Sequence, residues 1–181
     1  MPVVRFMSAG KRLMPIDTSP GPRKFHRVIA SLGDSRLAID EVIASARSTL
    51  CVFDASLERL GFGDPQRIAR LRALLLAGRE HRLRIVLRDL TYVERHGARL
   101  LALLRELPAA IGIHRATGEA VNASDAFVLA DDHSVWRQFH VEHPRASVSL
   151  HSPADARPLV DRFHSIWALS EQAISSAPPM A

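Results

Sequence analysis

Apolar positions along the middle of the chain switch repeatedly between two spacings. In LAIDEVIASARS (37–48), Ile39, Val42, Ile43 and Ala46 fall at i, i+3, i+4 and i+7, which lays one apolar stripe along a helix. TLCVFD (49–54) is a short apolar run closed by an acid, the pattern of a strand buried on both faces. DPQRIARLRALLLAG (64–78) returns to helical spacing, with Asp64 as N-cap, Pro65 in the first helical position and Gly78 as terminator. LRIVLRD (83–89) is the clearest strand of the chain. In TYVE, Thr91 and Glu94 have capping-box spacing and open a helix that runs to Pro108, weakened in its middle by Gly97. IGIHR (111–115) predicts a further strand.

The rhythm then changes. AFVLAD, SVWRQF and ASVSLH are three short strand patterns with no room for a helix between them, and DDHS reads as a hairpin turn joining the first two. A last helix over 153–170 puts Leu159, Phe163, Ile166 and Trp167 on one face, and Pro158 requires it to kink or begin there. The order α-β-α-β-α-β followed by β-β-β-α predicts a single α/β domain: a mixed β-sheet with helices on both faces. Residues 1–30 mix Pro, Gly, Ser and basic residues without periodicity and read as a basic flexible leader. Residues 31–170 form the domain and 171–181 a C-terminal tail.

A length of 181 residues, 47% of them hydrophobic, with mean hydropathy +0.01, suits one soluble globular domain. No apolar run is long enough to cross a bilayer, so membrane insertion is not expected. The N-terminus lacks the apolar core of a secretory signal, and Cys51 is the sole cysteine, so a cytoplasmic protein without internal disulfides is expected. Residues 1–36 hold seven basic residues against two aspartates, which accounts for the whole net charge of +5. A nucleic-acid partner would therefore engage the leader and the nine arginines of residues 67–99. Tyr92 is the sole Phe, Tyr or Trp in that second segment, so it offers little for stacking bases.

The order of IDEVIASARSTLCVFD, HRLRIVLRD, AFVLADDHSVW and ASVSLHSPADARPLVDRFHSIW resembles one repeat of the phospholipase D superfamily over roughly residues 35–170. More narrowly, LRIVL, DAF-V-AD and FH-x-x-x-PR resemble an uncharacterised bacterial group of phospholipase D-like proteins. The resemblance implies a single phospholipase D-like repeat that pairs as a homodimer to complete its cavity. It also implies the pattern H-x-K-x-x-x-x-D: the histidine attacks phosphorus or protonates the leaving group, the lysine binds phosphoryl oxygens, and the aspartate supports the site. This chain departs from that pattern. With Asp131 as the motif aspartate, Ser124 and Ala126 stand at the histidine and lysine places. With Asp132, the places fall to Asp125 and Phe127. The two lysines, Lys11 and Lys24, both lie in the leader, and His143-Pro144-Arg145 is followed by Leu150 where an acid is needed.

What remains is a set of anion-binding groups. Arg137, His140 and Arg145, with help from Arg88, are the candidate ligand-binding residues, because guanidinium forks match phosphate and imidazoles add hydrogen bonds. Strand alternation puts Arg137 and His140 on opposite faces, so they converge only if the strand bulges or ends between them. If the protein is an enzyme, His140 or His143 is its nucleophile. No cofactor is expected. His140-Val141-Glu142-His143 does not have the helical spacing of a zinc site, so no metal is expected either. Asp131 and Asp132 suit a turn. Asp54, Arg88 and Asp89 sit at strand ends, where open α/β sheets contact ligands. The expected molecule is a catalytically degenerate binding module for an anionic, phosphate-bearing small molecule or nucleic acid.

Overall fold

The computed structural model describes residues 23–174. Most of the expected leader and the end of the expected tail lie outside them. One eight-stranded sheet carries the molecule, in the order β1-β7-β6-β5-β2-β3-β4-β8, with β1 (Phe25–Ile29) and β8 (Glu171–Ile174) at its edges. Its parallel centre comprises β2 (Thr49–Asp54), β3 (Arg82–Leu87) and β4 (Ile111–Arg115). An antiparallel meander of β5 (Ala126–Ala130), β6 (Ser134–Gln138) and β7 (Ala146–Leu150) flanks it. Strand β5 runs antiparallel to β2 and joins the two halves.

Side-chain alternation divides the sheet between two cores. Leu50, Val52, Ile85 and Val128 pack under α1 (Leu32–Ser45), α2 (Pro65–Leu76), α3 (Thr91–His96) and α4 (Ala98–Glu106). Cys51, Phe53, Val86, Phe127 and Leu129 face the other way, against Phe163 and Ile166 of α5 (Pro153–Leu169). The expected α/β architecture with helices on both faces is the one observed.

The helix starts follow from their caps. Asp64 accepts from the backbone N–H groups of Gln66 and Arg67, at 2.9 and 3.1 Å, and Pro65 holds the first helical position of α2. Ser31 caps α1 through the Asp34 N–H. The helix expected over 91–107 is two helices meeting at Gly97, where a Cβ would stand 2.5 Å from the Val93 carbonyl. Nor does the capping box form: Asp89, not Thr91, accepts from the first turn, at 2.9 Å from the Thr91 N–H. The closing helix begins at Pro153 and carries Pro158 inside it.

The sheet extends past both expected domain boundaries. Residues Phe25–Ile29 form β1 against β7, and Glu171–Ile174 form β8 against β4. Neither segment shows clean alternation: among the described residues each pairs on one side alone, and each is largely exposed.

One buried cation organises the crossover after β2. Arg67 is 3% exposed. Its Nε donates to Asp40 at 2.9 Å, and its other nitrogens donate to the carbonyls of Leu60 and Arg36. Its guanidinium also lies over the Phe62 ring. Removing it takes the side-chain donor from the Leu60 carbonyl, strips a second donor from the helical Arg36 carbonyl and weakens the hold on Asp40. Arg67→Ala is expected to cost about 3 kcal/mol, read as a lowered urea midpoint, and Arg67→Lys should not restore it, since an ammonium lacks the fork.

Candidate anion-binding site

Strand β6 ends at Gln138, and the next seven residues fold back over the strand ends. The Val141 N–H donates to the Ser124 carbonyl at 2.8 Å. Arg59 donates to the Val141 carbonyl at 2.6 Å, and the Gln138 amide donates to the His143 carbonyl. The loop thus anchored carries His140 and His143 with ring centroids 6.2 Å apart, edge to face. With Ala30, Phe139, Pro144 and Arg145 they line a cavity of about 490 Å³. Among the described residues no carboxylate lines it. Two imidazoles and one guanidinium over a short apolar floor favour an oxyanion as occupant.

The four sequence-derived ligand residues do not all meet there. His140 and Arg145 share the cavity, joined by His143. Arg137 stays on the α5 face, because β6 ends only after Gln138 and alternation still governs position 137. Its guanidinium lies 3.4 Å from the Asp125 carboxylate and 4.8 Å from the centroid of the Phe139 ring. Arg88 follows β3 directly and sits beside the end of β2, where its backbone N–H donates to the carbonyls of Asp54 and Ala55. Two residues not singled out from the sequence complete this second cluster. Asp125 is 5% exposed and receives a bidentate fork from Arg162 of α5, at 2.8 and 2.7 Å. A signal for the pair existed: Asp125 precedes Phe127 by two and so shares its face, while Arg162 adjoins Phe163 on the helix packed there.

The positions compared with the phospholipase D pattern have definite surroundings. Ala126 is fully buried opposite Gln138, and Ser124 is an exposed residue whose carbonyl anchors the loop. Asp131, at φ 51°, takes hydrogen bonds from the backbone N–H groups of Arg47, Ser48 and Thr49 and from the Ser48 hydroxyl. Partial burial works to raise its pKa, but those donors together win and hold it below 3.8. It latches the start of β2 to the end of β5. Asp54 is pushed up by burial despite the N–H groups of Leu57, Ala55 and Ser56. The exposed Asp89 is held down chiefly by the backbone N–H of Thr91. Cys51 is buried between strands, and burial raises its thiol to about 12. Among the described residues no cluster of His, Cys, Asp and Glu is suited to a metal ion, and no helix is long and apolar enough to cross a membrane.

The fold has solved counterparts. The chain is similar to the phospholipase D family member Nuc from Salmonella typhimurium, with TM-score 0.60 and 16% identity over 84% of this chain and all of that one. NucT from Helicobacter pylori aligns at TM-score 0.57 and 11% identity, covering 83% of this chain and 100% of that one. TrmBL2, an archaeal chromatin protein described with a novel mode of DNA binding, aligns at TM-score 0.60 and 14% identity over 87% of this chain. This chain spans 57% of the TrmBL2 chain. These likenesses define a phospholipase D-like α/β fold. Residues 32–175 match the family described as a domain of unknown function, DUF7931, and the chain belongs to that family. Comparison with curated proteins finds no match.

The Asp131 latch has a pH signature. Because its folded pKa lies below 3.8, its stabilisation is complete above that value and is lost as pH falls through the folded pKa. Asp131→Asn should therefore cost about 2 kcal/mol at pH 7. Denaturant titrations at pH 7 and pH 3 should show the gap to wild type narrowing at the lower pH.

Proposed function

We propose that this protein is a catalytically degenerate phospholipase D-like binding module for a phosphate-bearing anion. The reading rests on one observation above others: His140, His143 and Arg145 line one cavity at the strand ends, and among the described residues no acid lines it. In the register set by Asp131, Ser124 and Ala126 stand where a nucleophilic histidine and a phosphoryl-binding lysine are needed. Neither the exposed Ser124 hydroxyl nor the buried Ala126 methyl replaces them. In this reading the protein works in the cytoplasm as a homodimer. In the same reading the domain expected over 31–170 takes in the two edge strands, Phe25–Ile29 and Glu171–Ile174.

A second reading, a divergent phosphodiesterase, draws on the two imidazoles that face one cavity 6.2 Å apart. One would attack phosphorus and the other protonate the leaving oxygen. Nucleic acid is a further ligand to consider, since a structural neighbour is described as binding DNA.

Calorimetric titration of inorganic phosphate into wild type, His143→Ala and Arg145→Gln tests the first reading. Affinity should fall about tenfold in each variant; undiminished affinity in both removes it. Hydrolysis of a generic phosphodiester by wild type that disappears in His140→Ala or His143→Ala would favour the enzyme. Oligonucleotide binding that weakens steeply with salt and with deletion of residues 1–22 would identify nucleic acid as the anion.

A further inference from the structure

Phosphate alone does not account for the histidine cavity. Its volume of about 490 Å³ falls within the roughly 300–1,000 Å³ of pockets that enclose whole small molecules, and a bare phosphate leaves most of it unfilled. The lining is also uneven: His140, His143 and Arg145 are polar, while Ala30, Phe139 and Pro144 are apolar. Phe139, His140, His143 and Arg145 are all exposed, so the cavity is open to a ligand as it stands. Glu142, in the same loop, is exposed and lies outside the lining.

Phe139 is the member of that lining with no structural task. It is 46% exposed and belongs to neither core. Leaving a benzene ring in water is unfavourable, yet this ring is held in place. The Arg137 guanidinium lies 4.8 Å from its centroid, and Arg137 is in turn held by Asp125 at 3.4 Å. The cation and the ring attract one another, which fixes the ring from one side. Beside three anion-binding groups there is thus a flat, apolar platform. Nucleobases stack on such platforms whatever their identity, since every base presents a π-face. Among the described residues Phe139 is the one Phe, Tyr or Trp in the lining, which makes a seat for a single base.

We propose that the histidine cavity binds a nucleoside monophosphate, its phosphate taken by His140, His143 and Arg145 and its base stacked on Phe139. The inference rests on the phosphate-binding reading of the same cavity and names what the phosphate carries. Arg145 offers the phosphate a two-pronged fork, and imidazole N–H groups add further donors. Phe139 then decides which phosphate esters are held. An ester with a flat aromatic group gains the ring as a partner, and a plain sugar phosphate does not. Arg137 acts through Phe139 as a positioning residue and does not itself touch the ligand.

Calorimetric titration of inorganic phosphate, ribose-5-phosphate and AMP into wild type and Phe139→Leu tests the assignment. Wild type should bind AMP about tenfold more tightly than ribose-5-phosphate. Phe139→Leu keeps apolar bulk at an exposed position and removes the π-face, so its melting temperature should stay close to that of wild type. Its affinity for AMP should fall to that for ribose-5-phosphate, with inorganic phosphate bound as before. Proton NMR reads a signature that a merely structural role would not move. The adenine ring protons of AMP should shift upfield in the ring current of Phe139, and not in Phe139→Leu. Equal affinity of wild type for AMP and ribose-5-phosphate overturns the proposal and leaves the phosphate reading standing. So does an AMP advantage that survives in Phe139→Leu. Failure of all three probes to bind wild type overturns the phosphate reading and the proposal together. An oligoadenylate bound many-fold more tightly than AMP overturns the mononucleotide in favour of a strand.

Discussion

Strands β2 and β5 run antiparallel through the middle of the sheet, and each sends its side chains into two different cores. Leu50, Val52 and Val128 meet the helices of one layer, while Phe53 and Phe127 meet α5 on the other. The Phe53 and Phe127 rings lie 5.4 Å apart, and Phe163 meets Phe127 edge-on at 6.4 Å. Because successive residues must serve opposite cores, a one-residue slip in this pair would exchange both sets at once. Asp131 fastens the lower end of the pair, and everything at the upper end takes its place from that register.

The upper end is where the charged residues gather, and the same alternation sorts them into two groups. Position 125 shares the face of Phe127, so its carboxylate points toward α5 and meets Arg162. Position 126 points the other way, into a fully packed core opposite Gln138. Phe139 stands between the groups, lining the histidine cavity while its ring receives the Arg137 guanidinium. Cations are thus presented on both sides of one strand end, with a single aromatic ring as partition. A surface of that kind suits ligands with more than one negative charge.

Much of the fold was legible because its elements follow local rules. The cap and proline at Asp64–Pro65, the buried run of β2 and the apolar face of α5 each rest on residues close in sequence. The edge strands β1 and β8 were not legible, since the strands they pair with are distant in sequence and neither has a buried stripe to betray it. The break at Gly97 was visible as a weakness but not as a boundary, because only the close approach to the Val93 carbonyl turns a poor helix former into a stop. At the site, His140, His143 and Arg145 were near one another in the chain, and a short loop gathers them. Arg162 lies 37 residues from Asp125, and no local spacing connects the two.

The sequence by itself determined the alternation of layers, the two-faced burial of the central strands and the absence of a histidine and lysine in register with Asp131. Those are properties of period and residue type, readable one position at a time. Only the tertiary structure decided which cations meet. Whether Arg137 joins His140 or Asp125 depends on where β6 ends, and that is set by its pairing with β5 and β7 and by the loop anchored on Ser124 and Arg59. Guanidiniums reach several ångströms from their backbone, so their partners are chosen by the packing of neighbouring strands and helices, which no linear spacing encodes.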